Sequence, residues 1–145
     1  MELLERDSFL QELDAMLTAA GSGQGRIALV SGEAGIGKTS LIEHFVSSHQ
    51  DSIRVLWGVC DSLFTPRPLG PLLDIAMQLE GELPALLNSN ADRQAIFSAC
   101  LAELQNLSTI LVFEDIHWAD EATLDLIKFI GRRIQRTGTL FILTY

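Results

Sequence analysis

The 145 residues are 48% hydrophobic and 20% charged, which is the composition of one globular domain and excludes a disordered chain. The formal net charge of −9 argues against this segment itself binding nucleic acid or an anionic membrane. No apolar run approaches the ~20 residues that a membrane-spanning helix needs, and the N-terminus lacks the pattern of a signal peptide. Cys60 and Cys100 stand far apart, so we expect reduced core side chains in a cytoplasmic protein; a disulfide is the less favoured alternative.

Helical and strand patterns alternate along the chain. Ser8 and Gln11 form a capping-box pattern ahead of apolar residues at helical spacing, and Gly21 ends that first helix. The strand patterns are continuous aliphatic runs, which predicts an α/β fold with a parallel sheet covered by helices on both faces. We predict strands at 26–31, 52–59, 109–113 and 139–145, helices at 8–21, 39–46, 72–79, 91–104 and 121–134, and a loop at 81–90.

The segment GEAGIGKT matches the phosphate-binding loop pattern G-x-x-x-x-G-K-[ST], between a predicted strand and a predicted helix. Its glycines let the backbone approach a ligand, and successive N–H groups then surround a β-phosphate at the start of a helix. Lys38 should neutralise the β- and γ-phosphates, and the Thr39 hydroxyl should ligate Mg²⁺. The alternative is a glycine-rich turn with a surface lysine. We predict ATP-binding contacts from Gly32, Glu33, Ala34, Gly35, Ile36, Gly37, Lys38, Thr39 and Ser40.

An apolar strand that ends in two carboxylates, Glu114 and Asp115, is the second pattern. A P-loop ATPase needs an acid at the end of a neighbouring strand to hold Mg²⁺, and a group that orients or deprotonates the attacking water. We predict that Glu114 and Thr39 hold Mg²⁺ and that Asp115 and Lys38 are catalytic; capping of the next turn is the alternative role for the acids. If both acids serve the site, the strand has to end there, because successive strand side chains point to opposite faces.

The next four residues, His117 to Asp120, admit two interpretations. Either this segment transmits the nucleotide state outward, or Trp118 anchors the core and Asp120 caps the helix that begins at Glu121. Capping is favoured for Asp120. No second histidine or cysteine stands at metal-ligand spacing from His117, so we expect no zinc site.

Three segments carry a resemblance to a known family: LVSGEAGIGKTSLIEHF, LWGVCDSLFTPRPLGPLLDIA and LVFEDIHWADEATLDLIKFIGRRI. Together they resemble the N-terminal ATPase of large ATP-binding LuxR-type transcriptional regulators. These are signal-transducing ATPases with numerous domains (STAND), within the AAA-like P-loop NTPases. The resemblance implies a slowly ATP-hydrolysing switch in a bacterial regulator, whose sensor region and DNA-binding domain lie further along. It also implies the sheet order 1-4-3-2 here, with a fifth strand beyond these residues.

Residues 3–6 lie where related ATPases carry an apolar-apolar-Gly-Arg motif near the adenine, so the resemblance adds Arg6 to the nucleotide-binding residues, with Glu5 in place of the glycine. Residues 1–145 are then the N-terminal part of the ATPase domain, without its lid or DNA-binding domain. An exposed edge on the P-loop strand favours self-association. The alternative functions are a module that senses ATP or ADP without hydrolysis, and a protein-interaction module that retains the motif as architecture.

Overall fold

A computed structural model describes residues 3–31, 37–60, 68–89 and 91–145, without the side chains of residues 3–5. Across this described part, strands and helices alternate as the sequence predicts. The strands are β1 (Arg26–Val30), β2 (Arg54–Val59), β3 (Thr109–Glu114) and β4 (Thr139–Thr144). The helices are α1 (Leu3–Gly21), α2 (Lys38–Ser47), α3 (Gly70–Ala76), α4 (Glu82–Leu87), α5 (Arg93–Asn106) and α6 (Glu121–Gly131), with 3-10 turns at Ile116–Trp118 and Ile134–Arg136.

The four strands form one parallel sheet in the order β1-β4-β3-β2. This confirms the predicted α/β class and the predicted strand order. The central strands β3 and β4 are buried along their whole length, which explains their unbroken aliphatic sequences. Because all strands run in the same direction, their carboxyl ends lie at one edge of the sheet, where the candidate site is built.

Each face of the sheet packs against its own layer of helices. On one face, α1 and α2 cover a cluster that includes Ile42, Phe45 and Val112. On the other face, the remaining helices cover a cluster in which the rings of Phe113 and Phe141 meet edge to face, with centroids 5.1 Å apart. No helix in the described ranges is long and apolar enough to cross a membrane.

Two local predictions were wrong. The predicted loop at 81–90 contains α4, which forms because burial of Leu83, 2% exposed, outweighs the breaking tendency of its neighbours. Gly81 enters that helix at a φ of 104°, and Pro84 falls within its first turn, where a missing N–H is tolerated. Helix α1 starts before Ser8, so Ser8 lies inside the helix instead of capping it.

Strand β1 forms one edge of the sheet within the described residues, since it pairs with β4 alone. Leu29, on this strand, is 61% exposed. An open aliphatic edge is a template for pairing with another chain. Self-association of the 145-residue chain therefore stays a prediction, which sedimentation velocity would check.

Helix α3 approaches the sheet closely at Gly58. A Cβ at Gly58 would lie 2.5 Å from the carbonyl oxygen and 2.8 Å from the Cα of Pro71. Both are backbone atoms, so the helix has to move away from β2 to make room. We expect Gly58→Ala to lower the free energy of unfolding by about 1–3 kcal/mol, the usual cost of overpacking, in urea denaturation.

Gly21→Ala is the matched control for that substitution. A Cβ at Gly21, the last residue of α1, meets no atom within 4 Å, so we expect little change in the free energy of unfolding. Equal stabilities of the Gly58→Ala and Gly21→Ala proteins would show that the close approach of α3 is not a constraint.

Candidate functional site

The end of the glycine-rich loop is described from Gly37 onward. Gly37 lies in the left-handed region, with φ 88° and ψ 20°, which glycine adopts without steric cost. It precedes α2 directly, and no described side chain caps the first turn of that helix. The N–H groups and the positive dipole end of a helix start favour binding of an anion. The other predicted loop contacts, Gly32, Glu33, Ala34, Gly35 and Ile36, lie outside the described residues.

Lys38, the first residue of α2, reaches the carboxyl edge of the sheet. Its Nζ donates a hydrogen bond to the carbonyl oxygen of Tyr145, at 2.8 Å. The Tyr145 N–H in turn donates to the carbonyl of Val30, at 3.2 Å, which joins the ends of β4 and β1. The ammonium group thus lies where the two strands end, and a phosphate oxygen there would compete with a carbonyl as its acceptor.

Thr39 and Glu114 meet although 75 residues separate them in sequence. The Thr39 hydroxyl donates to Oε1 of Glu114 at 2.8 Å, and the Trp57 indole Nε1–H donates to Oε2 at 2.9 Å. Glu114 is 9% exposed, and each of its carboxylate oxygens has a hydrogen-bond donor. The structure brings together the two predicted metal-binding residues and adds Trp57, which no motif in the sequence indicates.

These two residues fit a magnesium ion that is shared with phosphate. Hydroxyl and carboxylate oxygens are ligands that Mg²⁺ accepts, and its other positions are usually filled by water and substrate phosphates. In the described part of the chain, no group of three or more His, Cys, Asp or Glu is placed to hold a metal ion. The donor set therefore suits a cation that arrives with a nucleotide better than a cation held by protein alone.

Asp115 lies just past the end of β3, so the strand ends where it has to end if both acids serve the site. Its φ of 58° and ψ of 48° are left-handed, a conformation that aspartate tolerates better than most residues. The Asp115 N–H donates to the Thr144 hydroxyl at 2.9 Å, which ties this turn to the end of β4. Within the described residues, no hydrogen bond joins its carboxylate to Thr39 or Glu114.

Asp120 caps α6, which confirms the favoured interpretation of this residue. Its carboxylate accepts hydrogen bonds from the N–H and hydroxyl of Thr123, and from the Leu69 N–H at 3.2 Å. Helix α6 is thereby linked to the turn that precedes α3. Trp118 is 48% exposed, so the interpretation of Trp118 as a core anchor was wrong.

The pKa of Asp120 lies below its usual value. Burial raises this pKa, but the hydrogen bonds from the Thr123 hydroxyl and from the Leu69 and Thr123 N–H groups outweigh that effect. Because the folded pKa is the lower one, ionised Asp120 stabilises the fold above about pH 4, and this contribution is lost as the pH falls through the folded pKa.

Both cysteines are buried, as predicted for core side chains. Burial, reinforced by the nearby charge of Glu103, raises the pKa of the Cys100 thiol to about 12. Cys100 therefore stays a neutral packing residue at physiological pH. Arg6 is half-buried in α1, and its role as an adenine contact stays a prediction.

A family model described as "AAA ATPase domain" matches residues 2–143. The chain belongs to this family. No curated protein matches the sequence significantly. Among solved structures, Caenorhabditis elegans PCH-2 is similar with a TM-score of 0.58 and 16% identity, over 99% of this AAA domain and 38% of PCH-2. A Thermotoga maritima RuvB variant gives a TM-score of 0.47 and 20% identity, over 95% of this chain and 37% of RuvB.

The likeness to PCH-2 shows the fold alone, because the sequence identity is low, and the likeness to RuvB is too weak to support an argument. This AAA domain spans well under half the length of either protein. The family match nevertheless agrees with the site: AAA ATPase domains are P-loop nucleotide-binding domains, and the P-loop lysine, threonine and strand-end acid converge here.

Proposed function

We propose that this AAA domain binds ATP together with Mg²⁺ and, within its full-length protein, hydrolyses ATP slowly as a conformational switch. The observation that carries the proposal is the 2.8 Å contact between Thr39 and Glu114. A hydroxyl at the start of the P-loop helix and a carboxylate at the end of a neighbouring strand are the two protein ligands that a P-loop ATPase offers to Mg²⁺.

Each residue has a distinct role in this proposal. Lys38 exchanges the Tyr145 carbonyl for the β- and γ-phosphate oxygens and neutralises their charge. The loop residues, with Ser40, surround the phosphates through backbone N–H groups, and Arg6 lies near the adenine. Thr39 and Glu114 would hold Mg²⁺, which neutralises charge that develops on the phosphates. Asp115 orients the attacking water and accepts its proton.

We further propose that residues 1–145 form the N-terminal part of the ATPase domain of a bacterial LuxR-type regulator of the STAND class. Support comes from the three sequence segments that resemble this group and span most of the chain. In that setting the protein is cytoplasmic, and DNA is bound by a separate domain, because a segment with a net charge of −9 repels nucleic acid.

A module that senses ATP or ADP without hydrolysis is the second candidate. Nucleotide binding is common to both candidates, and only turnover separates them.

The Mg²⁺ dependence of ATP binding tests the proposed site. In thermal unfolding with saturating ATP, we expect Mg²⁺ to raise the melting temperature of the wild type well above its value in EDTA. Glu114→Gln and Thr39→Ala should each need at least about tenfold more Mg²⁺ for half of this effect, because Thr39→Ala removes an oxygen ligand and Glu114→Gln removes the negative charge of the other ligand. Their binding of ATP in EDTA should change little.

Glu43→Gln is the matched control, since Glu43 is exposed on the same helix as Thr39. Its Mg²⁺ midpoint should equal that of the wild type. If Thr39→Ala and Glu114→Gln weaken ATP binding as much in EDTA as in Mg²⁺, these two residues do not form a metal site.

A further inference from the structure

Trp57 is an aromatic residue that contacts the candidate magnesium site. Its indole Nε1–H donates to Oε2 of Glu114 at 2.9 Å, while the other carboxylate oxygen accepts from Thr39 at 2.8 Å. The two donors thus occupy opposite oxygens of one carboxylate. The side chain of Trp57 is only partly buried, and it packs against the cluster beneath α1 and α2.

Strand register brings the indole to this carboxylate. Trp57 on β2 pairs with Val112 on β3, and Val59 pairs with Glu114. Side chains two residues apart in a strand share a face of the sheet, so Trp57 and Glu114 lie on one face, one step apart along paired strands. That is the face covered by α2, whose first turn carries Thr39. The backbone of two strands and one helix therefore fixes all three side chains.

The chemistry of indole limits what this contact can do. Indole Nε1–H is a donor only, so Trp57 cannot ligate a cation and cannot accept the water proton. A hydrogen bond to one carboxylate oxygen instead fixes the rotation of the carboxylate and leaves the second oxygen directed toward Thr39. Partners of this kind, which hold a metal ligand without touching the metal, typically change metal affinity 10–100-fold when removed.

We propose that Trp57 is a positioning residue for Glu114. Through its hydrogen bond to this carboxylate, Trp57 sets the affinity of the site for Mg²⁺, and its indole fluorescence reports whether Mg²⁺ is bound. The proposal rests on the magnesium site proposed above. A cation beside the Glu114 carboxylate would be the largest local charge near the indole and would alter the field acting on its excited state. The reporter role follows from the same 2.9 Å hydrogen bond as the positioning role.

A Trp57→Phe substitution tests the positioning role. Phenylalanine keeps an aromatic ring on the same face but has no N–H, so we expect the Mg²⁺ midpoint of ATP-dependent thermal stabilisation to rise about 10–100-fold. ATP binding in EDTA should be unchanged, which a merely structural defect would not produce. Trp118→Phe is the matched control, because Trp118 is the only other tryptophan and is exposed; its midpoint should equal that of the wild type.

Fluorescence tests the contact without altering Trp57. In the Trp118→Phe protein, Trp57 is the sole tryptophan, and Mg²⁺ added at saturating ATP should change its emission with the same midpoint as the thermal stabilisation. Adding Glu114→Gln should raise the Mg²⁺ midpoint of that change by the same factor as it raises the midpoint of the thermal stabilisation. Emission that is indifferent to Mg²⁺, or equal Mg²⁺ midpoints in the wild type and Trp57→Phe, would overturn the role of Trp57 alone. A wild type whose ATP-dependent stabilisation needs no Mg²⁺ would overturn the magnesium site and this inference together.

Discussion

Lys38→Ala should abolish the stabilisation of the AAA domain by ATP. At an ATP concentration 100-fold above Kd, binding raises the free energy of unfolding of the wild type by about 2.7 kcal/mol, which is a readily measured shift in melting temperature. Lys38, the first residue of α2, brings an ammonium group to the point where β1 and β4 meet. Without it, the phosphate charges at this edge of the sheet lose their direct counterion.

The chain offers a close control for this substitution. Lys128 is the only other lysine and is exposed on α6, so Lys128→Ala changes the net charge equally and should leave the ATP shift intact. Lys38→Ala also removes the hydrogen bond from Lys38 to the Tyr145 carbonyl. Melting temperatures measured without ATP show the effect of that loss on stability, separately from the loss of ATP binding. An ATP shift in Lys38→Ala equal to that of the wild type would refute the assignment of Lys38 to the phosphates.

Asp115→Asn should reduce ATP hydrolysis by about 10²–10⁴-fold, the usual contribution of a general base, while ATP binding is retained. Asparagine also tolerates the left-handed backbone of this position, so the turn after β3 should keep its shape. Single-turnover hydrolysis in the full-length protein is the measurement, with the ATP-dependent melting shift measured alongside it.

Asp51→Asn is the control for that experiment, because Asp51 lies exposed in the turn between α2 and β2. Its turnover should match that of the wild type. Full turnover in Asp115→Asn would mean that another group acts as the base. A full-length wild type that binds ATP without any turnover would favour the sensor that does not hydrolyse its ligand.

The parallel sheet and the approximate positions of its strands could be predicted from local patterns. Strands β3 and β4 are buried on both faces, and such strands have unbroken aliphatic sequences whatever their neighbours. The strand order came instead from the family resemblance, because hydrophobic pattern does not say which strands pair. Helix α4 was missed because its formation depends on burial of Leu83 in tertiary contacts, which outweighs local propensity.

The residues of the candidate site also fall into those that the sequence predicts and those that only the structure reveals. Lys38 and Thr39 belong to a motif with fixed spacing, and Glu114 was indicated by the apolar strand that it ends, in combination with that motif. Trp57 belongs to no motif, and only the register between β2 and β3 places it beside Glu114. The left-handed turn at Asp115 could not be predicted either. The Asp115 N–H in this turn donates a hydrogen bond to the hydroxyl of Thr144, which is 29 residues away in sequence at the end of β4.

Titration of the wild-type AAA domain with ATP, ADP and AMP tests the central claim most directly. The P-loop is proposed to hold the β-phosphate, which ATP and ADP possess and AMP lacks. With Mg²⁺ present, we predict that ATP and ADP raise the melting temperature and that AMP at the same concentration does not. Stabilisation by none of the three nucleotides, or equal stabilisation by AMP, would contradict the assignment of this site to nucleotide phosphates.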